Sequence, residues 1–315
     1  MDIRAVAFDA NGTLVKILTE DGMEEIFRAA AHFLTYQGID LCRNQVRDLY
    51  FRFMSEQQHA SPEEHPEFDA VGIWRRIITE HQTAFTRALP AAKLEQMPLF
   101  LAEMYRGISR RRLSLYPHAR EVLDALRERY PLALVTDAQS AYARGELHRV
   151  GLLGYFDPIV ISGDYGYRKP DRRLFQAALD GMNVAAGNAM YVGNDMHRDI
   201  FGAREAGLTT VMFDSDQGKK AYLDCVPDYT ITDLRDLLTI LGMQELARVT
   251  LTLVTVGIAA SADKYITTYI IRTMRSDTPT AYFERRRGLG CTSAHHIVAA
   301  KECSWWGGQP ASSIL

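Results

Sequence analysis

The chain opens on an apolar run, IRAVAFDA, which reads as a buried strand over residues 3–9; Asp9 ends it and a polar turn, Asn11-Gly12-Thr13, follows. From about Asp21 to Arg112 the apolar spacing becomes helical. MEEIFRAAAHFLTYQG carries it as far as Gly38, and NQVRDLYFRFM and VGIWRRIITEHQTAF continue it. Between the last two lies SPEEHPEFD, whose prolines and acids predict a loop. After Pro117 the two periods alternate. HAREVLDALRERY predicts a helix, PLALVTDAQ a strand, ARGELHRVG a short helix and DPIVISGD a strand. DRRLFQAALDGM predicts a helix, AMYVGND a strand, RDIFGAREAG a helix and TTVMFD a strand, before PDYTITDLRDLLTIL closes the pattern near Gly242.

Strands alternating with helices predict an α/β fold, a Rossmann-like doubly wound parallel sheet. The helical stretch interrupts it as an insert. The expected organisation is a core of residues 1–20 and 113–243, a helical domain over 21–112, and a C-terminal extension over 244–315. In the extension VTLTLVTVG reads as a strand, and the rest shows no clear period, so an ordered appendage and a disordered tail both stay open. Cys291, His295, His296 and Cys303 lie there at a spacing that fits no standard zinc site. The inserted helices carry Arg43, Arg47, Arg52, Arg75 and Arg76, read as a solvated face, and Trp74, Phe51 and Phe53, read as local core.

Composition narrows the classes. The chain is 47% hydrophobic and 24% charged with a formal net charge of -3, an ordinary globular balance that points to no nucleic-acid partner. The longest uncharged run, Val249 to Ala262, is too short and too rich in threonine to be read as a membrane span. Four scattered cysteines form no disulfide pattern, and the first strand begins too early to leave room for a signal peptide; both point to the cytoplasm.

Ligands of doubly wound sheets bind at the carboxyl ends of strands, so the polar residues that follow the strands are the candidate site. Asp9 follows the first, Thr136 and Asp137 the second, Lys169 lies in the loop after the third, and Asp195 and Asp199 follow the fourth. Each has a plainer use: Asp9 as a turn former, Thr136 as a strand end, Lys169 as a solvated loop cation, Asp195 as a helix N-cap, and Asp199 as a first-turn acid facing the helix dipole.

Together DANGTLV, LVTD, YRKPD and VGNDMHRDIFGA resemble the four motifs of the haloacid dehalogenase-like hydrolase superfamily, over about residues 1–243. The resemblance makes the helical insert a cap that selects substrate. It implies a phosphatase acting through an aspartyl-phosphate on Asp9, on a small phosphorylated or otherwise anionic metabolite. It implies Mg²⁺ held by Asp9, the backbone carbonyl of Asn11 and Asp195, with Asp199 in or near the outer shell. Lys169 would hold the nucleophile and a phosphoryl oxygen, and Thr136, with Asp137 beside it and the loop at Gly12 and Thr13, would receive the phosphate. The chemistry agrees: a carboxylate nucleophile splits one hard step into two, and its attack on an anion needs added positive charge.

Asn11 departs from the pattern. Most phosphatases of this superfamily have there an aspartate that protonates the leaving oxygen and then activates water, and asparagine can do neither by ionisation. Haloacid dehalogenases also lack that acid and need no metal, so carbon–halogen hydrolysis is the alternative, with a catalytically weak binding protein as another. Asp195 favours phosphoryl chemistry, because dehalogenases carry a neutral residue in its place.

Overall fold

The computed structural model describes residues 2–243; VTLTLVTVG and the rest of the extension lie outside them. Eight strands occur among these residues: β1 (Ala5–Phe8), β2 (Val15–Thr19), β3 (Arg110–Leu115), β4 (Leu132–Thr136), β5 (Ile159–Ile161), β6 (Ala189–Gly193), β7 (Thr209–Phe213) and β8 (Tyr229–Ile231). Six of them form one sheet in the order β5-β4-β1-β6-β7-β8, with every neighbouring pair parallel. The expected doubly wound sheet is therefore present. Its order reverses at β1, which pairs with β4 on one side and β6 on the other, with Phe8 in register with both Leu134 and Val192. A crevice opens at such a switch point, and the ends of β1, β4 and β6 surround it.

Side chains alternate across the sheet and each face is covered. Val6 and Phe8 of β1 join Leu134 and Val192 in one buried cluster, with Leu123 and Leu126 from helix Ala119–Leu126 and Leu237 from helix Asp236–Ile240. Ala5, Ala7, Ala133 and Tyr191 point the other way, against Leu174, Phe175 and Ala178 of helix Arg172–Met182. Alanines on that face let the helix lie close to the strands.

The helical insert leaves the core through β2 and returns through β3, which pair as an antiparallel ribbon. Between them run helices Glu24–Tyr36, Arg43–Ala60, Ala70–His81, Ala84–Arg87 and Ala91–Ser109. Trp74, Phe53 and Phe27, all but fully buried, centre a core of their own, while Arg43, Arg47, Arg52 and Arg75 are exposed, as the pattern predicts. The loop over 61–69 also docks on the sheet domain. Glu67 N–H donates to the Gly166 carbonyl at 3.0 Å, and Arg168 N–H donates to the His65 carbonyl at 2.8 Å. Buried Glu67 accepts from the Ser162 hydroxyl at 2.7 Å.

Two elements differ from the pattern. β3 begins at Arg110, inside the stretch that reads as helical. RDIFGAREAG is not one α-helix: Met196–Phe201 forms a π-helical turn before α-helix Gly202–Glu205. The wider turn lets the Asp199 carboxylate fold back on the backbone that precedes it, accepting from Asn194 N–H and Asp195 N–H at 3.0 Å each.

Candidate active site

Strand geometry brings Asp9, Thr136, Lys169 and Asp199 together. Asp9 leaves the end of β1 with 4% exposure, and Lys169 enters from the loop before helix Arg172–Met182 with its side chain 2% exposed. Lys169 Nζ donates to Asp9 Oδ1 at 2.7 Å and to Asp199 Oδ1 at 2.6 Å, with the Val135 carbonyl and Tyr191 hydroxyl each 3.2 Å away. Burial alone would lower the Lys169 ammonium's pKa, but Asp199 and Asp9 outweigh it and hold the ammonium well above its ordinary value. Burial, reinforced by Asp199, pushes the Asp9 carboxyl above the usual range although Lys169 pulls it down.

The loop after Asp9 is held by its own groups. The Thr13 hydroxyl lies 3.0 Å from Asp9 Oδ2 and 3.1 Å from Asn194 Oδ1. Gly12 N–H is spent on the Val15 carbonyl at 2.8 Å, so this glycine contributes shape rather than that donor. Its φ is +95°, and a Cβ there would collide with the Asn194 carboxamide. Asn11 lines a cavity of about 10 Å³ with Thr136 and Glu146. Thr136 Oγ1 and Asn194 Nδ2 are both buried without a partner. These unmade hydrogen bonds, at the rim where ligands of this fold bind, are what an incoming oxyanion can satisfy.

Asp195 caps the π turn. Its Oδ1 accepts from His197 N–H and Arg198 N–H at 3.0 and 2.9 Å, and its Oδ2 from Lys219 N–H and Arg198 Nη2 at 3.0 and 3.1 Å. Burial pushes its carboxyl up, but the amides and guanidinium outweigh this and hold it below the usual range. Asp137 turns Oδ1 to the Lys169 amide at 3.0 Å; its Oδ2 stands 3.7 Å from Arg168 and 3.8 Å from Arg198. Pattern reading missed Asn194, Arg198, Tyr191 and Arg168. Arg198 lies one turn beyond Asp195, a spacing visible in DMHR; Asn194 sits beside a more conspicuous acid.

The donor set suits a hard divalent cation. Four carboxylates (Asp9, Asp137, Asp195, Asp199) face three cations (Lys169, Arg168, Arg198), which leaves the cluster short of positive charge. Among the described residues no three His, Cys, Asp or Glu side chains form a metal-holding group. Mg²⁺ does not require one, since it binds through one or two carboxylates and keeps several waters.

A family model for haloacid dehalogenase-like hydrolases matches residues 3–207, and the chain belongs to this family. It is therefore a hydrolase of that family, and the helical insertion after the first strand is consistent with a cap. A phosphoserine phosphatase from Thermus thermophilus is 38% identical over 174 residues, 55% of this chain and 68% of that protein. A glyceraldehyde 3-phosphate phosphatase from Pyrococcus furiosus is 27% identical over 254 residues, 76% of this chain and 93% of that protein. The crystal structure of a 2-haloacid dehalogenase from Pseudomonas syringae pv. Tomato DC3000 superposes with a TM-score of 0.54 at 23% identity, covering 77% of this chain and 99% of that one, a likeness of fold. No helix among the described residues is long and apolar enough to cross a membrane.

Proposed function

We propose that the chain is a phosphatase for a small phosphorylated metabolite, with Asp9 as nucleophile. The observation that carries this reading is the surplus of carboxylate around Lys169, with Asp195 at the end of the strand next to Asp9. The activities of the two phosphatases above support the same class.

In this reading an Asp9 oxygen attacks phosphorus, the P–O bond to the leaving group breaks, and an aspartyl-phosphate forms. Water then attacks that phosphorus and frees Asp9. Lys169 neutralises Asp9 as the second anion approaches, and Asp199 with Tyr191 positions Lys169. The unpartnered Thr136 hydroxyl donates to a phosphoryl oxygen. Thr13 orients Asp9, Gly12 shapes the loop, and Asp137 fixes the backbone of Lys169. Asp9, the Asn11 carbonyl, Asp195 and Asp199 are the groups that would hold Mg²⁺, which would supply positive charge as two anions approach.

The test is hydrolysis of para-nitrophenyl phosphate with Mg²⁺ by the native chain, Asn11→Asp and Asp9→Asn. Activity in either of the first two, lost in Asp9→Asn, supports the reading; three inert proteins overturn it. Neutral Asn11 favours a second reading, hydrolysis of a carbon–halogen bond, so 2-haloacids are the next substrates. A binding protein without chemistry has no use for the Asp9–Lys169–Asp199 arrangement.

A further inference from the structure

Each residue of the segment that ends β4 gives a group to a different place. Thr136 carries the buried, unpartnered hydroxyl. Asp137 accepts from the Lys169 amide at 3.0 Å. Ala138 N–H donates to the Ser162 hydroxyl oxygen at 3.0 Å, and its carbonyl accepts from Gly163 N–H at 3.0 Å. Gln139, 5% exposed, reaches into the insert: its Oε1 accepts from Ala70 N–H at 2.9 Å, and its Nε2 donates to the Phe68 carbonyl at 2.6 Å. Ala70 opens helix Ala70–His81, so Gln139 satisfies one of the amides that a helix N-terminus leaves without an intrahelical partner.

The same stretch of the insert holds the neighbouring turn, Ser162–Asp164. The Ser162 hydroxyl has one proton and two acceptors in reach, Glu67 Oε2 at 2.7 Å and the Ala138 carbonyl at 3.2 Å, and the shorter contact is the one to the insert. The turn and the segment are packed so closely that a Cβ on Gly163 would stand 2.9 Å from the Ala138 carbonyl oxygen and 3.1 Å from Gln139 Cα. Neither shifts without the other. Pro66 also bridges Tyr167, two residues before Lys169. Residues 65–70 of the insert are thus bonded to both stretches that carry the site, the one with Thr136 and the one with Lys169.

We propose that Gln139 is a positioning residue: through its two hydrogen bonds the docked insert fixes the segment that ends β4 and so sets where the Thr136 hydroxyl stands for a phosphoryl oxygen. This role rests on the phosphatase reading for the identity of that ligand. A residue of the interface alone would strengthen the docking and nothing else. Gln139 differs because the two residues between it and Thr136 are themselves held, Asp137 by Lys169 and Ala138 by Ser162, so a displacement at one end is not absorbed before it reaches the other.

The test is calorimetric titration of inorganic phosphate, with Mg²⁺ present, into the full native chain, Gln139→Ala, Thr136→Ala and the double variant. Gln139→Ala should weaken phosphate about fivefold or more, and the double variant should bind no more weakly than Thr136→Ala, because the group that Gln139 positions is gone. Glu67→Ala, which loosens the same joint from the insert, should weaken phosphate as well, and Glu67→Gln, which still accepts from Ser162, should restore it. Native affinity in Gln139→Ala overturns the role, and so do losses that multiply in the double variant, the result a purely structural residue would give. Amide hydrogen exchange reads the link without phosphate. The Ala138 and Lys169 amides should exchange faster in Gln139→Ala than in the native chain, and unchanged exchange overturns the role by itself. A native chain that binds no phosphate overturns the phosphatase reading, and exchange alone then decides whether Gln139 holds the segment.

Discussion

The carboxamide of Asn194 occupies the space that a side chain at residue 12 would need. The two residues lie far apart in sequence but at the ends of adjacent strands, β1 and β6, and one loop closes over the other only because residue 12 is glycine. Gly12→Ala therefore meets two obstacles, a φ of +95° and a collision with Asn194. The expected cost is about 1–3 kcal/mol of stability, measured by urea unfolding. Turnover should fall further than stability, because Thr13 and Asp9 move with the loop.

Lys169→Met removes the cation between Asp9 and Asp199 and leaves two buried carboxylates facing each other. Breaking a buried pair from one side costs about 3–5 kcal/mol. Urea unfolding should show a loss of that order, and para-nitrophenyl phosphate hydrolysis should vanish. Full stability in this variant would mean that the cluster has another source of positive charge.

Asn11→Asp restores an ionisable group where leaving-group protonation is needed. General acid–base catalysis contributes about 10²–10⁴-fold, so hydrolysis of alkyl phosphates should rise within that range. Aryl phosphates, whose leaving groups depart without a proton, should gain much less. A plot of rate against leaving-group pKa is the measurement: steep for the native chain, shallow for the variant.

Glu67 makes stability depend on pH. Burial raises its carboxyl above the ordinary value of 4.5, against the pull of Arg168 and the Ser162 hydroxyl. A raised folded-state pKa means that the fold binds this proton more tightly than the unfolded chain does. The stabilisation is fully present below the unfolded value and is lost as pH rises through the folded one. Relative to Glu67→Gln, the native chain should lose ground as pH rises from the ordinary carboxylate range through the raised folded-state value. A constant difference across that range would refute the linkage.

The sheet was legible because all of its strands but β8 stand as apolar runs bounded by turn residues, and the residues that follow β1, β4 and β6 meet at the switch point for topological reasons alone. Asp9, Thr136 and Asp199 were legible for that reason, and Lys169 from the loop after β5. The β2–β3 ribbon was not: VKILT and RRRLSL are short, half-exposed and flanked by helical spacing, so neither carries a clear period of its own. The π turn was hidden because its cause is a tertiary contact, the return of Asp199 to Lys169 and the backbone before it. Arg168 was invisible for a similar reason. Nothing in YRKPD says that the residue before the lysine will be seated by a loop from the helical insert.

That seating changes how the insert can move. A body attached only by the β2–β3 ribbon swings through a continuum of angles. This one is also clasped on its far side, where His65 and Glu67 exchange main-chain hydrogen bonds with Arg168 and Gly166. Opening must undo both at once, and it carries the His65 carbonyl away from the Arg168 amide that donates to it. The clasp therefore ties the insert to the sheet domain at a second place, so that even a small swing must stretch main-chain hydrogen bonds.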